Sequence, residues 1–288
     1  MSGSLLAYHP EAVVQIAKSR FTMTKSLSHL ASNGNANQRA LEPLASIEYA
    51  LLKKLCKREH KVALGEDCQT ASYSKLDVHI GPAWREHIRG QIVLDFGCGY
   101  GNEMIQLAKA GARKVYGIEI SENQLREARQ RLAYADVTDR CCLLNEAPPE
   151  TVDCIFSFDS FEHFEDPAEI LQEMRSFLNP GGRVFISFGP TWFHPLGGHA
   201  FSAFPWAHVL LCESALVRWR NLYYPGTSVG FNQSGLNRMT IKRFLALCDE
   251  SGFHVENREI VPIRKLAPLH NRLSREWTTS VVRAVLRK

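Results

Sequence analysis

The chain has 288 residues, a formal net charge of +4 and 45% hydrophobic content. That is enough for one α/β domain with sizeable additions, while a small net charge with no basic run gives no electrostatic footprint for nucleic acid. Its 8 cysteines include no C-x-x-C pair for zinc; with neither a signal-like start nor an apolar stretch of spanning length, they point to a reduced, cytoplasmic chain without membrane insertion.

Residues 11–18 read as an amphipathic helix, and a polar stretch follows from Ser28 to Asn37. A second helix is predicted over 43–60, with Pro43 in its first turn and Leu44, Ile47, Leu51, Leu52 and Leu55 on one apolar face. Such a helix either covers a ligand site or packs on a sheet edge. Residues 64–81 carry the breakers Gly65, Ser72, Ser74 and Gly81 and read as an irregular flap, completing an N-terminal extension over 1–80. A short helix over 84–89 then leads into the first strand.

Residues 92–101 organise the chain. The apolar run Ile92-Val93-Leu94 meets Asp95 and Phe96, then glycines at 97, 99 and 101, with a helical pattern from Asn102 behind them. Glycine permits positive φ and close approach of a ligand to the backbone, and amides at a helix start favour an anionic group. The next strand, 114–120, contains Glu119, whose carboxylate can accept hydrogen bonds from both hydroxyls of a ribose. Together these residues resemble the first two motifs of the class I S-adenosylmethionine-dependent methyltransferase superfamily. The resemblance implies a Rossmann-like, doubly wound α/β fold with a seven-stranded, mostly parallel sheet and helices on both faces. It also implies S-adenosyl-L-methionine as cofactor, with the turn of Asp95, Phe96, Gly97, Gly99 and Gly101 taking the methionine part and Glu119, with Ile120 beside it, the ribose. A nicotinamide or flavin site also ends its second strand in an acid. Its G-x-G-x-x-G spacing would place the third glycine at position 102, where Asn102 stands.

Ser121 is the predicted N-cap of a helix over 122–134 with Leu125, Ala128 and Leu132 on one stripe. Cys141 to Leu144 is a short third strand, and Asn145 and Glu146 follow at its carboxyl end, where either can meet the adenine amino group. The fourth strand covers 152–158. Its end, Ser157-Phe158, is assigned to the cofactor, and the stretch from Asp159 to Pro167 resembles the fourth-strand motif of small-molecule methyltransferases. A helix over 168–178 ends at Asn179-Pro180-Gly181-Gly182, and the fifth strand runs over 183–188. These elements make up a cofactor-binding core over 81–188.

Residues 189–239 form an insertion dense in rings and imidazoles, among them Trp192, Phe193, His194, His199, Trp206, His208, Trp219 and Tyr224. They read either as an apolar acceptor pocket, with His194, His199 and Trp206 as substrate contacts, or as a second small core. Thr240 caps a helix to about Ser251, and strands from Gly252 and over 280–286 complete the sheet in a C-terminal part covering 240–288.

A sulfonium methyl is already activated, so alignment, worth up to roughly 7 to 11 kcal/mol of barrier, outweighs a general base, worth about a hundredfold to ten-thousandfold. His163 is the base candidate; its rival role is to support the helix that starts at Pro167. Asp159, Glu162 and His163 are also spaced like the Glu-x-x-Glu-His set that ubiquinone-pathway O-methyltransferases associate with a divalent metal, although Asp159 shortens the first arm and the primary assignment has no metal. The expected acceptor is a small, apolar or aromatic molecule methylated at O, N or C. A catalytically silent cofactor-binding partner protein and a protein methyltransferase are the alternatives. The acceptor and oligomeric state are not specified by the sequence.

Overall fold

A computed structural model describes residues 35–56, 74–82, 84–223 and 230–288. The predicted helix over 11–18 lies outside these residues, as do the start of the polar stretch, most of the predicted flap and Tyr224. Among the described residues no helix is long and apolar enough to cross a membrane.

The expected α/β architecture is present. Seven strands, β1 (Ile92–Phe96), β2 (Lys114–Ile118), β3 (Cys141–Leu144), β4 (Val152–Phe158), β5 (Leu178–Phe188), β6 (His254–Pro262) and β7 (Thr279–Arg287), lie in the order β3-β2-β1-β4-β5-β7-β6. The first five are parallel, and β7 runs antiparallel between β5 and β6. Alternation along β1 divides the core. Ile92, Leu94 and Phe96 face one cluster with helices α6 (Pro167–Phe177) and α9 (Ile241–Glu250), and Val93 faces the other with α3 (Trp84–Ile88) and α4 (Asn102–Lys109).

The predicted caps Ser121 and Thr240 are where the side-chain chemistry requires them. Ser121 accepts from the Gln124 amide at 3.4 Å to open α5 (Glu122–Tyr134), and Thr240 accepts from the Arg243 amide at 3.1 Å to open α9. Asp166 accepts from the amides of Ala168 and Glu169, both at 3.1 Å, with Pro167 in the first turn of α6.

Several expectations need correction. The N-terminal helix, α1, spans Asn35–Leu55 and holds Pro43 in its interior. Of its predicted apolar stripe only Leu52 is buried, alongside Ala45 and the following Cys56, while Leu44, Ile47, Leu51 and Leu55 are exposed. That smaller face packs against α8 (Glu213–Tyr223), where the Cys212 amide also donates to Glu48 at 2.9 Å. Part of the predicted flap is a helix, α2 (Lys75–Ile80), because Ser74 caps it by accepting from Asp77 at 3.2 Å. The residues predicted to stop α6 belong to β5, which starts at Leu178 and bulges opposite Asp153 before regular pairing resumes at Arg183. Asn179 stabilises that bulge by donating to Asp153 at 2.7 Å.

The inserted segment contains a short α7 (Ala207–Leu210) and α8, whose buried Phe201, Ala207, Leu216, Trp219 and Phe231 form with α1 a cluster of their own. Leu52→Ala is therefore expected to cost about 2–5 kcal/mol in denaturant unfolding, and Ile47→Ala to stay within about 0.5 kcal/mol. A comparable cost at Ile47 would restore the full face predicted from periodicity.

Candidate functional site

The turn after β1 is built by three glycines at positive φ, 82° at Gly97, 52° at Gly99 and 76° at Gly101. The amides of Gly97 and Cys98 donate to the Ile118 carbonyl at 2.9 and 3.0 Å, which locks the turn to the end of β2. A Cβ on Gly97 would lie 2.7 Å from Ser160 Oγ, so this turn and the one after β4 close on each other only with glycine there. A Cβ on Gly99 would meet nothing, so that side is open to an incoming group. Cys98 is buried and its thiol is held protonated by loss of hydration.

Glu119 sits one residue beyond β2 and closes the edge. Its Oε2 accepts from the Gly99 amide at 3.0 Å, and its Oε1 accepts from the amides of Ile120 and Ser121, both at 2.8 Å. A carboxylate offers about four acceptor positions. Three are filled by its own backbone, which fixes its orientation and leaves about one for an outside hydroxyl unless an amide gives way. The Ile120 side chain is exposed beside it, and beyond β3 Asn145 is exposed and Glu146 half-buried.

Asp95 is buried and its Oδ2 has no hydrogen-bond partner. Burial raises its pKa well above the usual carboxylate range; Glu103 and Glu119 push the same way, and Lys75 opposes them. Lys75 and Glu103 had no signal in the sequence. Lys75 enters from α2, whose helical nature the breaker-rich stretch concealed, and Glu103 from the first turn of α4. Phe96, Ser157 and Phe158 are buried, the ring of Phe96 edge-on to Phe164 at 5.5 Å and that of Phe158 5.2 Å from His79. What these three offer at the strand ends is therefore backbone.

The loop after β4 carries the remaining chemistry. Asp159, at φ 52°, donates its amide to Ser187 at 2.9 Å and pairs its carboxylate with Lys75 at 2.7 Å. Phe161 anchors the short turn Phe161–His163, packing near Phe164, Phe188 and Phe244 at 5.5, 6.1 and 5.3 Å. Asn237 ties the same turn down by donating to the carbonyls of Phe161 and Phe164 at 2.8 and 2.9 Å. Glu162 is thereby held buried: one oxygen accepts weakly from Gly189 at 3.4 Å, the other has no partner, and burial pushes its pKa up to about 8.

His163 opens to solvent at the rim yet is crowded enough that lost hydration lowers its pKa, leaving a neutral ring near neutral pH. The ring of His199 stands edge-on to it at 5.3 Å, its own pKa pushed down to about 4 by dehydration and then by His163. Ligand atoms of Glu162, His163 and His199 lie within 4.8 Å of one another. Of the metal-like set Asp159, Glu162 and His163, the last two converge with His199. Lys75 takes Asp159, and the cap supplies His199 in its place.

The other cap residues are engaged elsewhere. His194 Nδ1 accepts from the Leu196 amide at 2.9 Å, and Trp206 Nε1 donates to the Phe193 carbonyl at 2.9 Å. His208 is a buried structural group, held by the Trp192 carbonyl at 2.6 Å and by Ser202 at 3.0 Å.

Residues 94–186 match the family model described as a methyltransferase domain. The chain is 37% identical over 106 residues to a ubiquinone biosynthesis O-methyltransferase of Neisseria meningitidis serogroup C, covering 35% of this chain and 44% of that protein. It is 34% identical over 103 residues to the 27-O-demethylrifamycin SV methyltransferase of Amycolatopsis mediterranei, covering 34% of this chain and 38% of that one. The chain thus spans less than half the length of these curated relatives. Among solved structures it is similar to an S-adenosylmethionine-dependent methyltransferase from Mesorhizobium loti, with TM-score 0.47 and 21% identity over 72% of this chain and 97% of that one.

The buried acid gives a stability prediction. An unfolded Asp95 loses its proton near the ordinary carboxylate pKa, whereas the folded one keeps it to higher pH, so between the two the native state binds more protons and stability falls as pH rises. Asp95→Asn is expected to flatten the decline in Tm from about pH 4 upward. Parallel Tm curves for variant and wild type would contradict the assignment.

Proposed function

We propose a function for a chain that carries the class I S-adenosylmethionine-dependent methyltransferase fold and is related to small-molecule O-methyltransferases of the ubiquinone pathway. It binds S-adenosyl-L-methionine at the carboxyl edge of β1, β2 and β3 and transfers the methyl group in line to a small, apolar or aromatic acceptor. The observation that carries this reading is the open glycine turn bonded to a fixed Glu119 carboxylate. Gly97, Gly99, Gly101 and Asp95 receive the amino-acid tail, Glu119 and Ile120 the ribose, and Asn145 or Glu146 the adenine.

The charge distribution fits this donor. Asp95, Glu103 and Glu162 all feel the cation Lys75, which pairs with Asp159. Burial keeps Asp95 and Glu162 protonated in the protein alone, and a sulfonium, which favours their ionised forms, is preferred there over its uncharged demethylated product. Once the methyl leaves, that attraction is lost, which assists release. Titration calorimetry is expected to show binding of S-adenosylmethionine and its demethylated product, with the donor affinity falling more steeply at low pH as the acids protonate. Uptake of NADH with no affinity for either ligand would reject the reading.

His163 removes the acceptor's proton as the methyl arrives. Its neutral ring stands at the rim of the site, where a hydroxyl or amine can reach it. With the right acceptor, His163→Ala is expected to lower kcat about a hundredfold to ten-thousandfold and to remove the acidic limb of the pH profile, on which wild-type activity falls as the imidazole protonates. Full activity of the variant at every pH would exclude this role. If cofactor binds but no acceptor in a broad screen yields the demethylated product, the chain is a silent binding partner.

A second reading is favoured by the convergence of Glu162, His163 and His199. One carboxylate and two imidazoles form a mixed oxygen and nitrogen set that suits a transition-metal ion better than magnesium. Such an ion would polarise an acceptor oxygen and compete with the role of His163 as a base. Activity that survives exhaustive chelation, and is unchanged by adding manganese or zinc, would eliminate this reading.

A further inference from the structure

The hairpin between β6 and β7 is interrupted by a long ordered excursion, residues 263–278. It has almost no core of its own: the only buried residue in its two short helical pieces, Arg264–Leu269 and α10 (Arg275–Thr278), is Thr278. Polar contacts hold it together. The Ile263 amide donates to the Thr278 carbonyl at 2.8 Å and His270 Nδ1 meets the Thr278 hydroxyl at 2.8 Å. Asn271 Oδ1 accepts from the amides of Leu273 and Ser274 at 2.9 and 3.2 Å. This bonding props apolar side chains outward: Leu269 is 63% exposed and Leu273 94% exposed, with Trp277 at 41%.

Scattered exposed leucines are ordinary. Here they share one fixed protrusion with the cations Arg264, Lys265, Arg272 and Arg275, none of which pairs with an acid among the described residues. The single acid of the excursion, Glu276, is already used. Its two oxygens accept from the amides of Ile241 and Lys242 at 3.1 and 2.8 Å, where it neutralises the start of α9.

We propose that this excursion docks the protein on an anionic lipid bilayer surface. Leu269 and Leu273 enter the boundary between headgroups and acyl chains, Trp277 lies at headgroup level, and the four cations meet anionic headgroups. Exposed leucines among unpaired cations suit a deformable, anionic bilayer, whereas a protein interface requires complementary packing. Nucleic acid would use the cations but gain nothing from the leucines. The Trp277 ring stands 4.7 Å from that of Phe193 and 6.4 Å from that of Trp206, so the contact adjoins the cap that carries His199. Docking therefore brings the acceptor side of the molecule near a phase where apolar acceptors concentrate; this consequence rests on the methyl-transfer reading, and the surface contact does not.

The test is co-sedimentation of the full chain with phosphatidylcholine vesicles, with and without about one third phosphatidylglycerol, alongside calorimetry with S-adenosylmethionine. Binding is expected only to the anionic vesicles, weakening as salt rises. It should fall at least tenfold in Leu273→Asp and in Arg272→Glu/Arg275→Glu, with Tm and donor affinity unchanged. Ile47→Asp, on the exposed stripe of α1, is expected to leave it intact. No binding to either vesicle, loss confined to Ile47→Asp, or a wild-type dimer that Leu273→Asp turns into a monomer would overturn the proposal. Because vesicle binding and donor binding are read separately, either can fail without the other.

Discussion

Parallel pairing of β1 with β2 on one side and β4 on the other is the constraint on which the rest of the molecule depends. Asp95 stands opposite Gly117 in one direction and Phe156 in the other, so the three strands end at nearly the same level. The glycine turn, Glu119 and the Asp159 loop therefore emerge along one edge, where the chain order reverses direction across the sheet. Strand registry alone would leave that edge loose. The Ile118 carbonyl, accepting two amides from the turn, and Glu119, accepting a third, convert it into a fixed frame.

That frame concentrates buried acid where the rest of the structure could not tolerate it. Burying an ionised carboxylate is costly unless it is paired, so Asp95 and Glu162 respond by holding their protons. Each also has an oxygen with no hydrogen-bond partner. Buried polar atoms of this kind are rare in settled cores, and here two lie by the strand ends with the cation Lys75 acting on both. The site is thus under-satisfied in the protein alone and has capacity for a positively charged guest or for donors brought by one.

Sequence alone made the sheet, its connections and the cap residues Ser121 and Thr240 legible, because each depends on chemistry local to a few neighbouring residues. Three features were hidden for a shared reason. Periodicity puts Leu44, Ile47, Leu51, Leu52 and Leu55 on one face of α1, but does not say that of these only Leu52, with Ala45 beside it, fits against α8. The sequence places Asp159 beside Glu162 and His163, but cannot say that Lys75, far away in the chain, claims it. Nor do the breakers over 64–81 disclose that Ser74 starts a helix. Each outcome was decided by partners distant in sequence, where local spacing carries no information.

His199 is the clearest case, since two packed bodies must meet for it to act. Its turn, at φ 49°, is followed by Phe201, buried against Phe231 at 4.7 Å in the cluster shared by cap and α1. His163 hangs instead from Phe161 in the sheet core. The two rings touch although their anchors belong to different apolar clusters, so the spacing between them reports how the cap seats on the sheet. A small shift of the cap would separate the imidazoles without disturbing the glycine turn or Glu119. The glycine turn and Glu119 are held from within the sheet, whereas the seating of His199 depends on the cap and, through Leu52, on α1.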